Sequence, residues 1–170
     1  RCGDGELRIS SYGSAQAPVE CRNSCKLTVG SYAKFSNDIK ASDLTVEISS
    51  GASVGSTLTA DALTMRIDSY AKFSGTVTVK TRPAKLTVSS GGSFNGTFSG
   101  SSLEASVGSY GKIYLKGAAQ VADATVRVSS GANFSAPELR VSDYDLTVSN
   151  YAKACLLYTS PSPRDGATSR

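Results

Sequence analysis

One phrase recurs eight times along this chain at a nearly constant interval. An apolar–x–apolar triplet is followed at fixed offset by Ser (once Asn), then Tyr or Gly, then Ala or Gly. The Ser/Asn positions are Ser11, Ser31, Ser50, Ser69, Ser90, Ser109, Ser130 and Asn150, giving steps of 20, 19, 19, 21, 19, 21 and 20 residues. A period this regular is a structural repeat, and it limits the chain to architectures in which like units stack. It constrains chemistry far less.

Aligned repeats show what each column does. The triplets Leu7/Ile9, Leu27/Val29, Val46/Ile48, Met65/Ile67, Leu86/Val88, Ala105/Val107, Val126/Val128 and Leu146/Val148 alternate at period two. That alternation predicts a strand with one buried face. Six residues on stands a second inward candidate: Phe35, Val54, Phe73, Phe94, Ile113 and Phe134, with Ala15 and Ala154 in the end repeats. Between them lies a column of Ala or Gly alone: Gly13, Ala33, Ala52, Ala71, Gly92, Gly111, Ala132 and Ala152. Small residues in every repeat mark a tight corner. A looser third apolar group follows at Leu58, Val77/Val79, Phe98, Leu115 and Leu139/Val141.

A unit of this size cannot bury its own apolar face, whereas stacked units can. Parallel in-register strands about 4.8 Å apart would make a rod roughly 35–40 Å long. The Ser, Thr, Val and Gly content and the lack of a 3.6-residue pattern argue against a helical solenoid. An antiparallel sandwich would not need the corner in every unit. The expected fold is all-β, a right-handed parallel β-helix of about eight coils, with residues 1–154 as the repeat domain and 155–170 as a tail outside the pattern.

The repeat also carries a doubled period. Alternate coils read Y-A-K or Y-G-K from Tyr32, Tyr70, Tyr110 and Tyr151, and the coils between read G-A-S, G-G-S or G-A-N from Gly51, Gly91 and Gly131. Each ring either seals the corner over the neighbouring glycine or belongs to a binding edge with Lys34, Lys72, Lys112 and Lys153. The residues alone leave both readings open.

The stretches V-R-V-S-S-G-A-N-F-S-A-P-E-L-R-V (126–141) and V-E-I-S-S-G-A-S-V-G-S-T-L-T-A-D (46–61) resemble repeats of the head GIN domain found in auto-transporter adhesins of Bacteroidetes-type bacteria. The resemblance extends over residues 5–154 and implies an exported β-helical domain of the cell envelope. It brings no catalytic residues, and the Y-A-K coils depart from the usual S-G-A pattern.

The chain has 170 residues, 39% hydrophobic and 19% charged, enough for one domain. Its net charge of +4 is spread over many coils, unlike a nucleic-acid footprint, so no nucleic-acid partner is expected. The Lys column is the nearest thing to a basic stripe. No apolar run is long enough to span a membrane as a helix. Arg1 is not a start and no signal peptide is visible, so a fragment or processed chain is expected. The string C-L-L-Y-T-S-P-S-P-R-D (155–165) resembles a translated sequencing adapter, with a Ser/Pro-rich linker as the alternative.

Cys2, Cys21 and Cys25 fall in the first two coils. Cys2 and Cys21 are expected to stack and to form an inter-coil disulfide, with Cys25 a buried thiol of the same parity as Leu27. C-x3-C with no second pair is a weak metal signal, so neither a metal nor a cofactor is expected.

With no His, triads and His-based acid–base chemistry are excluded. Asp43, Asp61, Asp123 and Asp143 occupy turn-like positions before the first strand of their coils, where Asp bonds its own backbone. Asp143 and Asp145 form the close carboxylate pair, but a pair without a pocket is not glycosidase chemistry. The Gly-rich stretch Ser89–Gly92 lacks the context of a phosphate loop. Outward Thr57/Thr59, Thr76/Thr78 and Thr97/Ser99 suggest an ice-binding ladder, interrupted at Asp38/Lys40 and Glu138/Arg140. Thr is also simply a good strand residue. The expected function is a non-enzymatic structural or adhesive module at the bacterial surface or in the periplasm, gripping a glycan or a surface protein. A carbohydrate-processing β-helix is the alternative.

Overall fold

The computed structural model of the chain describes residues 3–117 and 120–156, which form strands and turns and contain no helix. Every strand pairing is parallel, and the strands join into one continuous sheet that winds through about seven turns. This is the expected parallel β-helix, with its register offset near 20 residues throughout.

The first ladder stacks Gly5–Ile9, Ser24–Val29, the second half of Ile39–Ile48, the second half of Ser53–Ile67, Ala84–Val88, Ser102–Val107, Gln120–Val128 and Arg140–Val148. Leu27, Val46, Met65, Leu86, Ala105 and Val126 form one buried column along it, and Val29, Ile48, Ile67, Val88, Val107 and Val128 another. The second ladder carries Phe35, Val54, Phe73, Phe94, Ile113 and Phe134, all buried. Phe73 and Phe94 stack with centroids 5.0 Å apart. A third ladder runs through Val19, Ile39, Leu58, Val77 and Phe98; it lies on separate short strands in the first two coils and continues the second-ladder strand in Ser53–Ile67, Lys72–Val79 and Ser93–Gly100. Leu115 departs from the expected grouping: it pairs with Gly96, one inward position before the Phe98 column. The backbone is drawn in there, since a Cβ on Gly96 would lie 2.0 Å from the Gly75 carbonyl oxygen.

Burial follows the sequence alternation. Along Ser53–Ile67, Val54, Ser56, Leu58 and Ala60 are buried, then the parity resets so that Leu63, Met65 and Ile67 are. The reset falls at Asp61 and Ala62, a second corner between the third ladder and the first.

The first corner is a turn of unusual backbone. In all eight coils the Ser or Asn and the following Tyr or Gly both have positive φ, between 46° and 73°. The next N–H closes the turn onto the carbonyl three residues back, as in Ala71 to Asp68 at 3.0 Å and Gly92 to Ser89 at 2.8 Å. Two left-handed residues inside a closed four-residue turn define type I′. The second turn residue also donates to the next coil, Tyr70 N to Ser90 O at 3.0 Å and Gly91 N to Ser109 O at 3.0 Å. The corner therefore has its own inter-coil hydrogen-bond ladder, which holds bulky tyrosines in a conformation that L-residues otherwise avoid. The small column is explained by position. Ala33, Ala52 and Ala71 lie at 0% exposure just beneath the turn, where a longer side chain meets the core.

Candidate functional site

The turn conformation throws its second residue outward, so the tyrosines line one edge of the rod. Tyr32, Tyr70, Tyr110 and Tyr151 are 61%, 76%, 73% and 98% exposed. Tyr12 belongs with them at 78% and stacks on Tyr32 with centroids 5.5 Å apart. Sequence reasoning missed Tyr12 because its coil reads Y-G-S without the lysine. The steric reading of the rings has a geometric basis. A Cβ on Gly51, Gly91 or Gly131 would lie 2.6, 2.7 or 2.9 Å from Cε1 of Tyr32, Tyr70 or Tyr110. Each ring rests on the bare glycine of the following coil and leaves most of its surface to solvent.

Two residues past the tyrosine, the strand register builds a second straight column: Ser14, Lys34, Ser53, Lys72, Ser93, Lys112, Asn133 and Lys153. Lysine alternates with a small neutral polar residue, so successive lysines stand two rungs apart, about 9.6 Å. Among the described residues none of these four lysines has an ion-pair partner. Acids elsewhere do: Glu47 with Lys26 at 3.2 Å, Glu104 with Lys85 at 3.5 Å, Asp43 with Arg82 at 3.0 Å, and Glu6 with Arg8 at 2.8 Å. Asp68, the acid within the turns, is bonded to both Arg66 and Ser89. The first face is therefore largely self-neutralised, while the turn edge keeps unopposed positive charge. Lys116 lies 5.8 Å over the Tyr114 ring on the same outward face of the strand as Lys112, another aromatic–cation pair that spacing alone did not reveal.

The other candidate residues do not assemble into a reaction centre. Asp123 and Asp143 are direct neighbours on adjacent rungs, with Asp145 two residues further along, all on exposed strand surface. Asp61 lines a groove of about 330 Å³ with Glu20, Arg22, Lys40 and Lys80, a mixed-charge corner remote from the tyrosines. Asp43 borders a separate groove of about 480 Å³ near Asp4, Glu6 and Lys26. There the Ser24 hydroxyl and backbone N–H donate to Asp4 at 2.7 and 3.1 Å and hold its carboxyl below the usual range. No group of three or more Cys, Asp or Glu among the described residues is placed to hold a metal ion.

The threonine ladder is in register over three coils, Thr57–Thr76–Thr97 and Thr59–Thr78–Ser99, with Thr97 Oγ1 3.0 Å from Thr76 Oγ1. It is bounded by Lys40 on one side and Lys116 on the other. Cys21 and Cys25 are buried, but the expected Cys2–Cys21 disulfide lies outside the described residues. Tyr144 faces inward beside Ala124 in the last coil, where burial, reinforced by the Asp145 carboxylate, pushes its phenol up to about 12. Its enclosed hydroxyl has no hydrogen-bond partner among the described residues.

A rigid stack whose regular features lie along an edge, with its grooves elsewhere, defines a repeat-built surface module. The chain belongs to the family described as "Putative auto-transporter adhesin, head GIN domain", which matches residues 71–157. No curated protein matches the chain, and no solved structure does. Family membership confirms the resemblance of the repeats, implies a cell-envelope, secreted context, and suggests an adhesin-like surface module.

Proposed function

We propose that this β-helix is an adhesive or scaffolding module that grips a glycan or a surface protein through its tyrosine–lysine edge. The observation that carries the reading is the coincidence, in alternate coils, of an outward ring with an unopposed lysine. Tyrosine offers rigid apolar area at small entropic cost, and lysine adds longer-range attraction to acidic surfaces. That each ring also rests on a glycine does not compete with this role, because a plate anchored on one side is pre-organised on the other.

The test is Tyr70→Ser with Tyr110→Ser, followed by binding to cell surfaces and to a glycan array and by the melting temperature. Adhesion should fall well beyond what the modest loss of stability accounts for. Unchanged binding, or a collapse of the fold with no ligand found for the parent chain, would refute it.

A further inference from the structure

Resting on that adhesive reading, we infer that the edge is spaced for a linear acidic polysaccharide carrying one carboxylate per disaccharide and lying along the rod. The column Lys34–Ser53–Lys72–Ser93–Lys112–Asn133–Lys153 alternates a cation with a neutral hydrogen-bonding residue at every rung. A stretched β-linked glycan advances by close to one strand spacing per sugar. Two rungs then match one disaccharide, and the alternation of charged and neutral side chains matches an alternation of uronic acid and neutral sugar. Lys34 and Lys153 are six rungs apart, about 29 Å, so four acidic sugars and the three between them engage the whole column.

The neighbouring residues fit the same occupant. Ser53, Ser93 and Asn133 offer hydroxyl and amide groups where the neutral sugars fall, and the exposed rings of Tyr32, Tyr70 and Tyr110 supply flat apolar surface for sugar C–H faces. A nucleic acid fits less well. Duplex DNA carries a phosphate every ~3.4 Å along each strand, so only about one in three would find a lysine.

The experiment measures binding of hyaluronan oligosaccharides (one carboxylate per disaccharide), β-linked polymannuronate of equal length (one per sugar), dextran oligomers and a short DNA duplex across a salt series. Hyaluronan should bind, with affinity rising up to seven or eight sugars and then levelling. Dextran should not bind, and the DNA duplex should bind more weakly than hyaluronan. Lys72→Ala with Lys112→Ala should weaken hyaluronan binding roughly ten- to thirtyfold and about halve the salt slope. Ser53→Lys with Ser93→Lys, which places a lysine on each of the middle coils, should improve binding of polymannuronate several-fold more than that of hyaluronan, which gains only the added long-range attraction. Duplex DNA binding as tightly as hyaluronan would overturn the inference. So would an unaffected Lys72/Lys112 variant, or equal gains for both polymers from the added lysines. If no polymer binds but Tyr70/Tyr110-dependent cell binding persists, the ligand chemistry falls and the adhesive reading stands. If cell binding is absent as well, both fall.

Discussion

The contact between Tyr70 and Gly91 can be dissected with a double-mutant cycle. Gly91 has φ +73°, and a Cβ there would lie 2.7 Å from Tyr70 Cε1 and 2.8 Å from Cδ1. Gly91→Ala therefore meets two separate costs. The left-handed backbone costs an alanine about 1–2 kcal/mol whatever surrounds it. The methyl group also lifts the ring off the turn. Tyr70 is 76% exposed, so about a quarter of its surface is covered. For a side chain burying ~200 Å² when fully enclosed, that is about 50 Å², or ~1 kcal/mol of packing. Gly91→Ala should thus destabilise by about 2–3 kcal/mol, roughly 4–12 °C in melting temperature for a chain of this size. Tyr70→Ser alone should cost about 1 kcal/mol, by the same area argument. In the Tyr70→Ser background the ring is gone, and Gly91→Ala should cost only its backbone share. Thermal and urea unfolding of the four proteins then give a coupling energy near 1 kcal/mol. A coupling of zero would mean that the ring does not rest on the turn, and the steric part of the account would be wrong.

Ala71→Leu places a branched side chain where Ala71 is fully buried beneath the turn and should cost about 1–3 kcal/mol. Thr87→Glu, outward beside Arg66, should stay within about 0.5 kcal/mol; equal tolerance in urea unfolding would refute the inward–outward assignment. Tyr144→Phe removes an enclosed hydroxyl without a partner among the described residues and should leave stability at neutral pH unchanged or raise it by about 1 kcal/mol. Because the Tyr144 phenol is raised to about 12, the folded chain keeps its proton while the unfolded chain releases it near 10, so stability contributed there is lost as pH rises from about 10 to about 12. The phenylalanine variant should show less of that alkaline loss in melting temperature, and an identical pH profile would sink the assignment.

Most of the architecture was legible in the residues because a solenoid writes the same constraint eight times. A lone Leu27/Val29 pair is ambiguous, but its recurrence at Val46/Ile48, Leu86/Val88 and Val126/Val128 in one phase leaves parallel stacking as the natural solution. The all-Ala/Gly column likewise pointed to a tight corner. What stayed hidden was backbone conformation. Ser69 and Tyr70 give little sign of positive φ, since neither is a usual left-handed residue; Gly51, Gly91 and Gly131 at the equivalent position were the available signal. Leu115 was misgrouped because the steps of 19 and 21 residues blur the third apolar group, and only the pairing with Gly96 fixes its place. At the edge, the Lys column was readable as a repeat. Its lack of acidic partners was not, because that depends on where Glu47, Glu104 and Asp68 point.

The alternation of ring and glycine has a consequence for how such a rod changes length. Removing one coil would set Tyr against Tyr or Gly against Gly, and it would also break the lysine interval. Removing two restores both patterns at the splice, since Tyr70 and Tyr110 occupy equivalent surroundings. The heritable unit of this molecule is therefore a pair of coils, about 40 residues, and its descendants should lengthen or shorten in that quantum. At the first step the stacked Tyr12 and Tyr32 set ring against ring, while Ser14 against Lys34 keeps the lysine alternation, so the two patterns part company at that end of the rod.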